Sequence, residues 1–263
     1  MARTMRGYAK TAAMAAAGIV GDSPLFGIDY LLRFMRVALL LAIWRTLFQG
    51  RPAVAGLPLA SVLTYTLISE VFGEPLNAFT GLPGAFWDGT ITTRFLRPMN
   101  LFGQFAAEIG GQWVFNFAVF SVPLLLCAPL FGVSPLPASP MAGLLFIISL
   151  ALGISVGLAL DYISGAAGVA LEMSPGILER TRRAIGGLLS GAIIPFALLP
   201  WSLGKALMWS PFAALASAPL QIFIGKGDPV RLLALQAFWA IVLWPLAHHM
   251  WVATREKMVS YGG

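Results

Sequence analysis

The sequence has few charged side chains. Only 11% of its 263 residues are Asp, Glu, Lys or Arg, whereas 58% are hydrophobic. A soluble domain carries about 25% charged residues, so this chain lacks the polar side chains needed to cover a water-facing surface. Its mean hydropathy is +0.82. The composition therefore excludes an ordinary soluble domain and indicates a membrane protein.

Cysteine and histidine are almost absent. Cys127 is the only cysteine, so no disulfide can form within the chain. The two histidines, His248 and His249, are adjacent, and adjacent side chains on a helix point about 100° apart, so they do not form a two-ligand face. No Ser-His-Asp set has a suitable spacing. We therefore expect neither a metal site nor catalytic residues.

Long apolar runs are what the sequence does contain. A membrane helix needs about 20 apolar residues, and the runs do not alternate as the strands of a membrane barrel do. We predict an all-α membrane protein with six transmembrane helices, at about residues 28–48, 55–72, 102–131, 141–163, 184–199 and 230–252. Prolines and glycines interrupt residues 201–228, which we expect to form short re-entrant helices before the last span.

The N-terminal segment differs from the spans. Residues 1–27 combine Arg3, Arg6 and Lys10 with the alanine-rich stretch "TAAMAAAGIVG". Alanine is a poor membrane anchor, so we expect an amphipathic helix that lies in the membrane interface. The predicted domains are therefore this helix and a six-span domain over residues 28–263.

The distribution of Lys and Arg predicts the orientation. With the N-terminus inside, the inner segments hold twelve basic residues: Arg3, Arg6, Lys10, Arg33, Arg36, Arg94, Arg97, Arg180, Arg182, Arg183, Arg255 and Lys257. The outer segments hold five: Arg45, Arg51, Lys205, Lys226 and Arg231. Because cytoplasmic loops carry the excess of basic residues, we expect both termini in the cytoplasm. The same scattered pattern argues against nucleic-acid binding.

The stretch "GAFWDGTITTRFLRPMN", residues 84–100, lies between the second and third predicted spans. If it is one helix, Trp87, Ile91 and Phe95 share a face. Gly89 and the threonines make it a weak helix alone, so we expect it to pack on something. Either it rests on its own bundle, or it docks on a soluble partner. The residues predicted for such a contact are Trp87, Asp88, Thr90, Ile91, Arg94 and Phe95.

Ionisable groups within spans are costly and are candidates for function. Asp161 lies deep in the fourth span, where it either helps substrate passage or forms a structural polar contact. Glu70 and Glu74 share a face near the predicted cytoplasmic end of the second span, where they either pair with Arg94 or Arg97 or are solvated. The substrate-path candidates are Asp161, Glu108, Phe117 and Phe212.

Several motifs in order resemble one family. They are "LTYTLIS" in the second span, "WDGTITTRFLRPMN" after it, "SGAIIPFALLP" in the fifth, "SPFAALASAPLQIFIG" outside it, and a Gly262-Gly263 terminus. Together they resemble the permeases of bacterial type-2 ABC exporters, in the branch of separate six-span subunits, across nearly the whole chain. Phe95 stands where that family usually has leucine, which is a conservative difference.

The resemblance implies a non-catalytic membrane subunit in the bacterial plasma membrane. Its partners would be ATP-binding cassette subunits, which bind ATP and Mg²⁺, and a second permease chain, different or identical, with membrane lipid around both. The stretch after the second span would be a cytoplasmic coupling helix. The expected function is export of an amphiphile, drug, lipid or peptide.

A nucleotide site within this chain is not expected. A P-loop needs G-x-x-x-x-G-K-[ST], and neither Gly204-Lys205 nor Gly225-Lys226 is followed by Ser or Thr. An ion-coupled secondary transporter is the main alternative, although its usual pair of matching broken helices is not evident. A lipid-modifying membrane enzyme is a third class, and it lacks a convergent polar cluster.

Overall fold

A computed structural model describes residues 2–22 and 26–260 of the chain. Most of this part is helical. The elements in chain order are α1 (Ala2–Asp22), α2 (Phe26–Leu47), β1 (Ala53–Val54), β2 (Leu57–Pro58), α3 (Leu59–Val71), α4 (Gly73–Leu76), α5 (Leu82–Trp87), α6 (Ile91–Phe95), α7 (Leu101–Asn116), α8 (Val122–Cys127), α9 (Pro140–Ala170), α10 (Pro175–Leu189), α11 (Leu203–Leu207), α12 (Ser217–Phe223) and α13 (Pro229–Ser260). The terminal residues Gly262 and Gly263 lie outside the described residues, as do residues 1 and 23–25 of the predicted N-terminal helix.

Three helical segments in this part of the chain are long and apolar enough to cross a membrane. They are Leu101–Phe131, Pro140–Ala170 and Pro229–Thr254. These agree with the predicted third, fourth and sixth spans. The first of them joins α7 to α8 through a π-helical turn, Phe117–Ser121. Pro123 follows at once, and its missing N–H and bulky ring disturb the regular helical hydrogen bonds at this point.

The second predicted span is shorter as a helix than expected. A small antiparallel hairpin, in which Ala53 pairs with Pro58, occupies its start. The turn of this hairpin uses positive φ angles at Ala55 and Gly56. Helix α3 then has only 13 residues, which is about 20 Å, less than the roughly 30 Å of a bilayer core. The six-span count therefore stays a prediction.

The fifth predicted span, residues 184–199, is not one helix, and that prediction is wrong as it stands. Helix α10 begins nine residues upstream of the expected region, at Pro175, and ends at Leu189. Gly191 then adopts a φ of +77°, which ends the helix. The irregular backbone that follows is bonded to protein: Tyr65 Oη donates to Gly191 O and Ser69 Oγ donates to Ala192 O, both at 2.7 Å. Such bonds satisfy non-helical backbone away from water.

Helix α9 is the centre of the packing, in contact with α13, α12, α5, α4 and α10. Small residues on α9 let neighbouring backbone approach closely. A Cβ at Gly153 would lie 2.9 Å from Ala214 O. Nearby, the buried side chain of Gln236 donates to Ser149 O at 2.9 Å and to Ala214 O at 2.7 Å. This network ties α13 and the segment before α12 to α9.

Helix α1 packs along α7. Tyr8 Oη accepts a hydrogen bond from Asn100 N at 3.1 Å. Further along α7, a Cβ at Gly111 would lie 2.0 Å from Ala12 O, so the two backbones are in direct contact there. The interfacial location of this helix stays a prediction.

Candidate coupling site

The segment between α3 and α7 forms two short helices instead of the single helix that the sequence predicts. The break is at Gly89, whose φ is +72°. Just before it, Asp88 Oδ1 accepts hydrogen bonds from Thr90 N at 3.0 Å and Thr90 Oγ1 at 2.7 Å. The Thr90 hydroxyl and backbone N–H together hold the pKa of the exposed Asp88 carboxyl below its usual range. Asp88 and Thr90 thus form a local turn.

This break separates the three apolar residues that were expected to share a face. Trp87 and Phe95 are 60% and 45% exposed, and the neighbouring Leu96 is 86% exposed. Ile91 is buried at 1% exposure, in a cluster with Leu82 and Phe105. Ile91 is therefore not part of the exposed surface, and its contact with a partner stays a prediction. The outward apolar surface consists of Trp87, Phe95 and Leu96, which we call the docking surface.

The C-terminal end of the segment is fastened to α7. Arg94 forms a bidentate ion pair with Glu108, at 2.7 and 3.3 Å, and its guanidinium lies 4.2 Å from the Phe105 ring centre. The buried Gln104 side chain donates to Arg94 O at 3.0 Å and to Met99 O at 3.1 Å. Bidentate arginine pairs fix orientation as well as distance. Arg94 and Glu108 thus join the segment to the first two turns of α7.

The N-terminal end is fastened to α9 and α10 through a buried ion pair. Asp161 Oδ1 lies 2.5 Å from Arg182 Nη1, and the two side chains are 1% and 11% exposed. Asp161 Oδ2 accepts from Thr80 N at 2.9 Å and also from the Thr80 hydroxyl. Arg182 donates in addition to Ala78 O at 3.1 Å and to Gly157 O at 2.8 Å. Five residues from three parts of the chain therefore share one polar cluster.

Two further ion pairs lie beside the segment, and they differ from the pairing that the sequence left open. Arg33 pairs with Glu74 at 3.0 Å, and Arg36 pairs with Glu70 at 2.6 Å. Neither glutamate pairs with Arg94. These pairs connect α2 to the end of α3 and to α4.

The predicted substrate-path residues do not come together. Asp161 and Glu108 are engaged in the ion pairs described above, which favours the structural alternative for Asp161. Phe117 is 37% exposed in the π-helical turn, 5.7 Å from the Phe72 ring, beside a cavity of about 240 Å³. Phe212 packs in a separate cluster with Leu215.

The sequence contained part of the signal for the Asp161 cluster. An acid deep in a membrane span requires a partner, and Arg182 lies 21 residues further along the chain. Nothing in the sequence distinguished Arg182 from Arg180 or Arg183, because the choice depends on which face of α10 meets α9. Among the residues that the structure describes, no group of three or more His, Cys, Asp or Glu could hold a metal ion.

Comparison with known proteins gives one match. The sequence model of the family described as ABC-2 family transporter protein matches residues 34–262. No curated protein and no solved structure matches the chain. The matched region includes the docking surface, the Asp161 cluster and the three long apolar helices.

Proposed function

This chain belongs to the ABC-2 transporter family, and from that membership we propose that it is the permease subunit of an ATP-driven bacterial exporter. An ABC-2 permease works with an ATP-binding subunit. In the proposed complex, that subunit binds ATP and Mg²⁺, and a second permease, identical or different, completes the substrate path. Both termini face the cytoplasm. The cargo is an amphiphile, drug, lipid or peptide.

The observation that carries the proposal is how the docking surface is exposed and attached to the rest of the bundle. Trp87, Phe95 and Leu96 are exposed on a short segment that two ion pairs attach to the bundle. Asp88 and Arg97 on the same segment are exposed charged residues, and charged groups favour water over lipid, which supports a location of the segment at the watery edge of the bundle. Exposed aromatic residues in such a place are typical anchors of a protein interface.

The two attachments of the segment give a route for motion. The Arg94–Glu108 pair connects it to α7, and the Asp161 cluster connects it to α9 and α10. When a partner bound at the docking surface changes conformation, the segment and these helices move together. Such a change shifts a conformational equilibrium by the partner's differential affinity for the two states.

Ion-coupled transport through Asp161 is less consistent with the contacts. Both carboxylate oxygens are occupied, one by Arg182 and the other by Thr80. A carboxylate that binds and releases a coupling ion needs a free oxygen or a water-filled approach. The contacts of Asp161 instead suit a fixed structural connection between helices.

The test is co-purification of the tagged chain from its native membranes, with bound proteins identified by mass spectrometry. We expect an ATP-binding subunit with the wild-type chain. The double variant Trp87→Asp, Phe95→Asp should lose it, since removal of an interface anchor costs about 2 kcal/mol or more, roughly 30-fold in affinity. Ile91 is unsuitable for this test because a charge at a buried position would disturb folding.

Trp201→Asp is the matched control, because Trp201 is also an exposed tryptophan, at 94%, but lies between the 3-10 turn Phe196–Leu198 and α11. It should retain the ATP-binding subunit. Equal recovery of that subunit with wild type and the double variant would refute the docking surface. Its absence from every sample prepared in mild detergent would count against the proposed function itself.

A further inference from the structure

A basic pocket lies in the region of α11 and the start of α13. The predicted topology puts this region on the opposite side of the membrane from the docking surface. The pocket has a volume of about 580 Å³ and is bounded by the region of α11, the turn after α12 and the start of α13. Lys205, Lys226 and Arg231 line it. Pockets of about 300–1,000 Å³ are typical of sites for small ligands.

The three cations in this pocket have no acidic partner within the described part of the chain. Asp228 also lines the pocket, but its Oδ1 accepts a hydrogen bond from Val230 N at 3.0 Å, at the start of α13. The lining therefore carries three positive charges and one negative charge. An excess of unpaired cations in a partly enclosed pocket attracts an anion, since the walls reduce screening by solvent.

An apolar groove continues from this pocket along α13. Its volume is about 380 Å³, and it shares Met208, Trp209, Arg231 and Leu232 with the basic pocket before extending to Leu235 and Phe238. The eight residues from Arg231 to Phe238 cover about 10 Å of helix. The groove wall is almost entirely apolar, so it suits a hydrocarbon chain.

The residue at the junction of the two cavities is held in place. The Arg231 guanidinium lies 5.0 Å from the Trp209 ring centre. Trp239 Nε1 in turn donates to Trp209 O at 3.1 Å. An arginine placed over an aromatic ring keeps its N–H donors available in the plane of its guanidinium group. Arg231 thus borders both the charged pocket and the apolar groove.

We propose that the basic pocket and the groove form one binding site for an anionic amphiphile. The headgroup, a phosphate or carboxylate, lies among Lys205, Lys226 and Arg231, and the apolar chain lies along α13 over Leu235 and Phe238. This assigns the cargo class of the proposed exporter, and its transport role rests on that proposed function. Because the predicted orientation puts this end outside, the site receives cargo late in transport.

The experiment measures binding to the purified full-length chain in an uncharged detergent by intrinsic tryptophan fluorescence. The probes are dioctanoylphosphatidylglycerol, which is anionic, and dioctanoylphosphatidylcholine, which has no net charge. We expect the anionic lipid to bind about tenfold more tightly, equivalent to about 1.4 kcal/mol. Inorganic phosphate at the same concentration should not displace it, because phosphate has no apolar chain for the groove.

Two sets of variants test the two halves of the site. The triple variant Lys205→Gln, Lys226→Gln, Arg231→Gln should bind the anionic lipid no better than the neutral one. Phe238→Ala should weaken both lipids, because it removes apolar contact area from the groove, and Phe238 is 54% exposed, so its truncation leaves no buried cavity. Arg51→Gln is the matched control, since Arg51 is an exposed cation that does not line the pocket.

Equal affinities for the two lipids, or an unchanged preference in the triple variant, would overturn the proposal. Displacement by phosphate alone would also overturn it, because the site would then recognise a free anion. The assay contains no ATP-binding subunit, so its outcome is independent of the co-purification. A preserved lipid preference without any ATPase partner would leave the site standing and remove only its role in export.

Discussion

Replacement of Asp161 with Asn removes one charge from the most deeply buried ion pair among the described residues. The partner, Arg182, is 11% exposed; it loses its anionic partner and keeps neutral contacts with Ala78 O, Gly157 O and the Phe79 ring. Removal of one member of a buried pair typically costs 3–5 kcal/mol, because the other charge stays buried without compensation; we therefore expect a loss of about 3–5 kcal/mol for Asp161→Asn.

The complementary variant, Arg182→Gln, should have a similar effect for the opposite reason. It leaves the Asp161 carboxylate, 1% exposed, with only the two Thr80 donors. The double variant Asp161→Asn, Arg182→Gln removes both charges and keeps polar groups at both positions. We expect it to be more stable than either single variant, since neither charge is then left buried alone.

The assay is thermal unfolding of the purified chain in detergent. For a chain of this size, 1 kcal/mol corresponds to about 2–4 °C in Tm, so each single variant should lower Tm by about 6–20 °C. Arg183→Gln is the matched control, because Arg183 pairs with Glu179 on the same helix and both side chains are about half exposed. An exposed pair contributes at most about 1 kcal/mol, so its Tm should fall by no more than about 4 °C.

Two results would refute this reasoning. If Asp161→Asn unfolds at the wild-type temperature, the pair does not hold α9 and α10 together. If the double variant loses as much stability as the two single variants combined, the two charges act independently. In either case the proposed route from the docking surface to these helices loses one of its two attachments.

Two other predictions follow from the packing and the topology. Gly111→Ala should lower Tm, because its Cβ would lie 2.0 Å from Ala12 O, at a cost of about 1–3 kcal/mol. Gly110→Ala is the control, because a Cβ there has open space, and it should be neutral or slightly stabilising. Equal Tm values for the two variants would contradict the α1–α7 contact. A Cys127→Ala, Lys205→Cys chain in intact cells should react with a membrane-impermeant maleimide, because Lys205 is exposed and expected outside. Labelling only after the cells are opened would show that the predicted orientation is reversed.

The sequence predicted the long helices well, because their signal is local. Thirty-one consecutive mostly apolar residues in α9 need no knowledge of neighbours to be recognised as a membrane helix. The failures occur where apolar composition continues but the backbone does not stay helical. Residues 184–199 are one example: Gly191 and Pro195 break the helix, and Tyr65 and Ser69 from α3 bond the backbone that results.

The candidate site also has a part that the sequence predicted and a part that it did not. The sequence identified the segment after α3 and its residues Trp87 and Phe95, which are exposed as an interface would require. It placed Ile91 on the same face because regular helical spacing was assumed across Gly89. The positive φ at Gly89 turns the chain and directs Ile91 into the core instead. A glycine permits such a turn, but the presence of a glycine in the sequence does not show that the turn is formed.

By itself, the sequence determined that this is a helical membrane protein, where its three longest helices lie, and which family it resembles. These properties depend on composition and on order along the chain. Only the tertiary structure decided which charges pair: Arg182 with Asp161, 21 residues apart, and Arg36 with Glu70, 34 residues apart. Ion pairing falls off with distance in space, and residues far apart in sequence become neighbours only after the helices have packed.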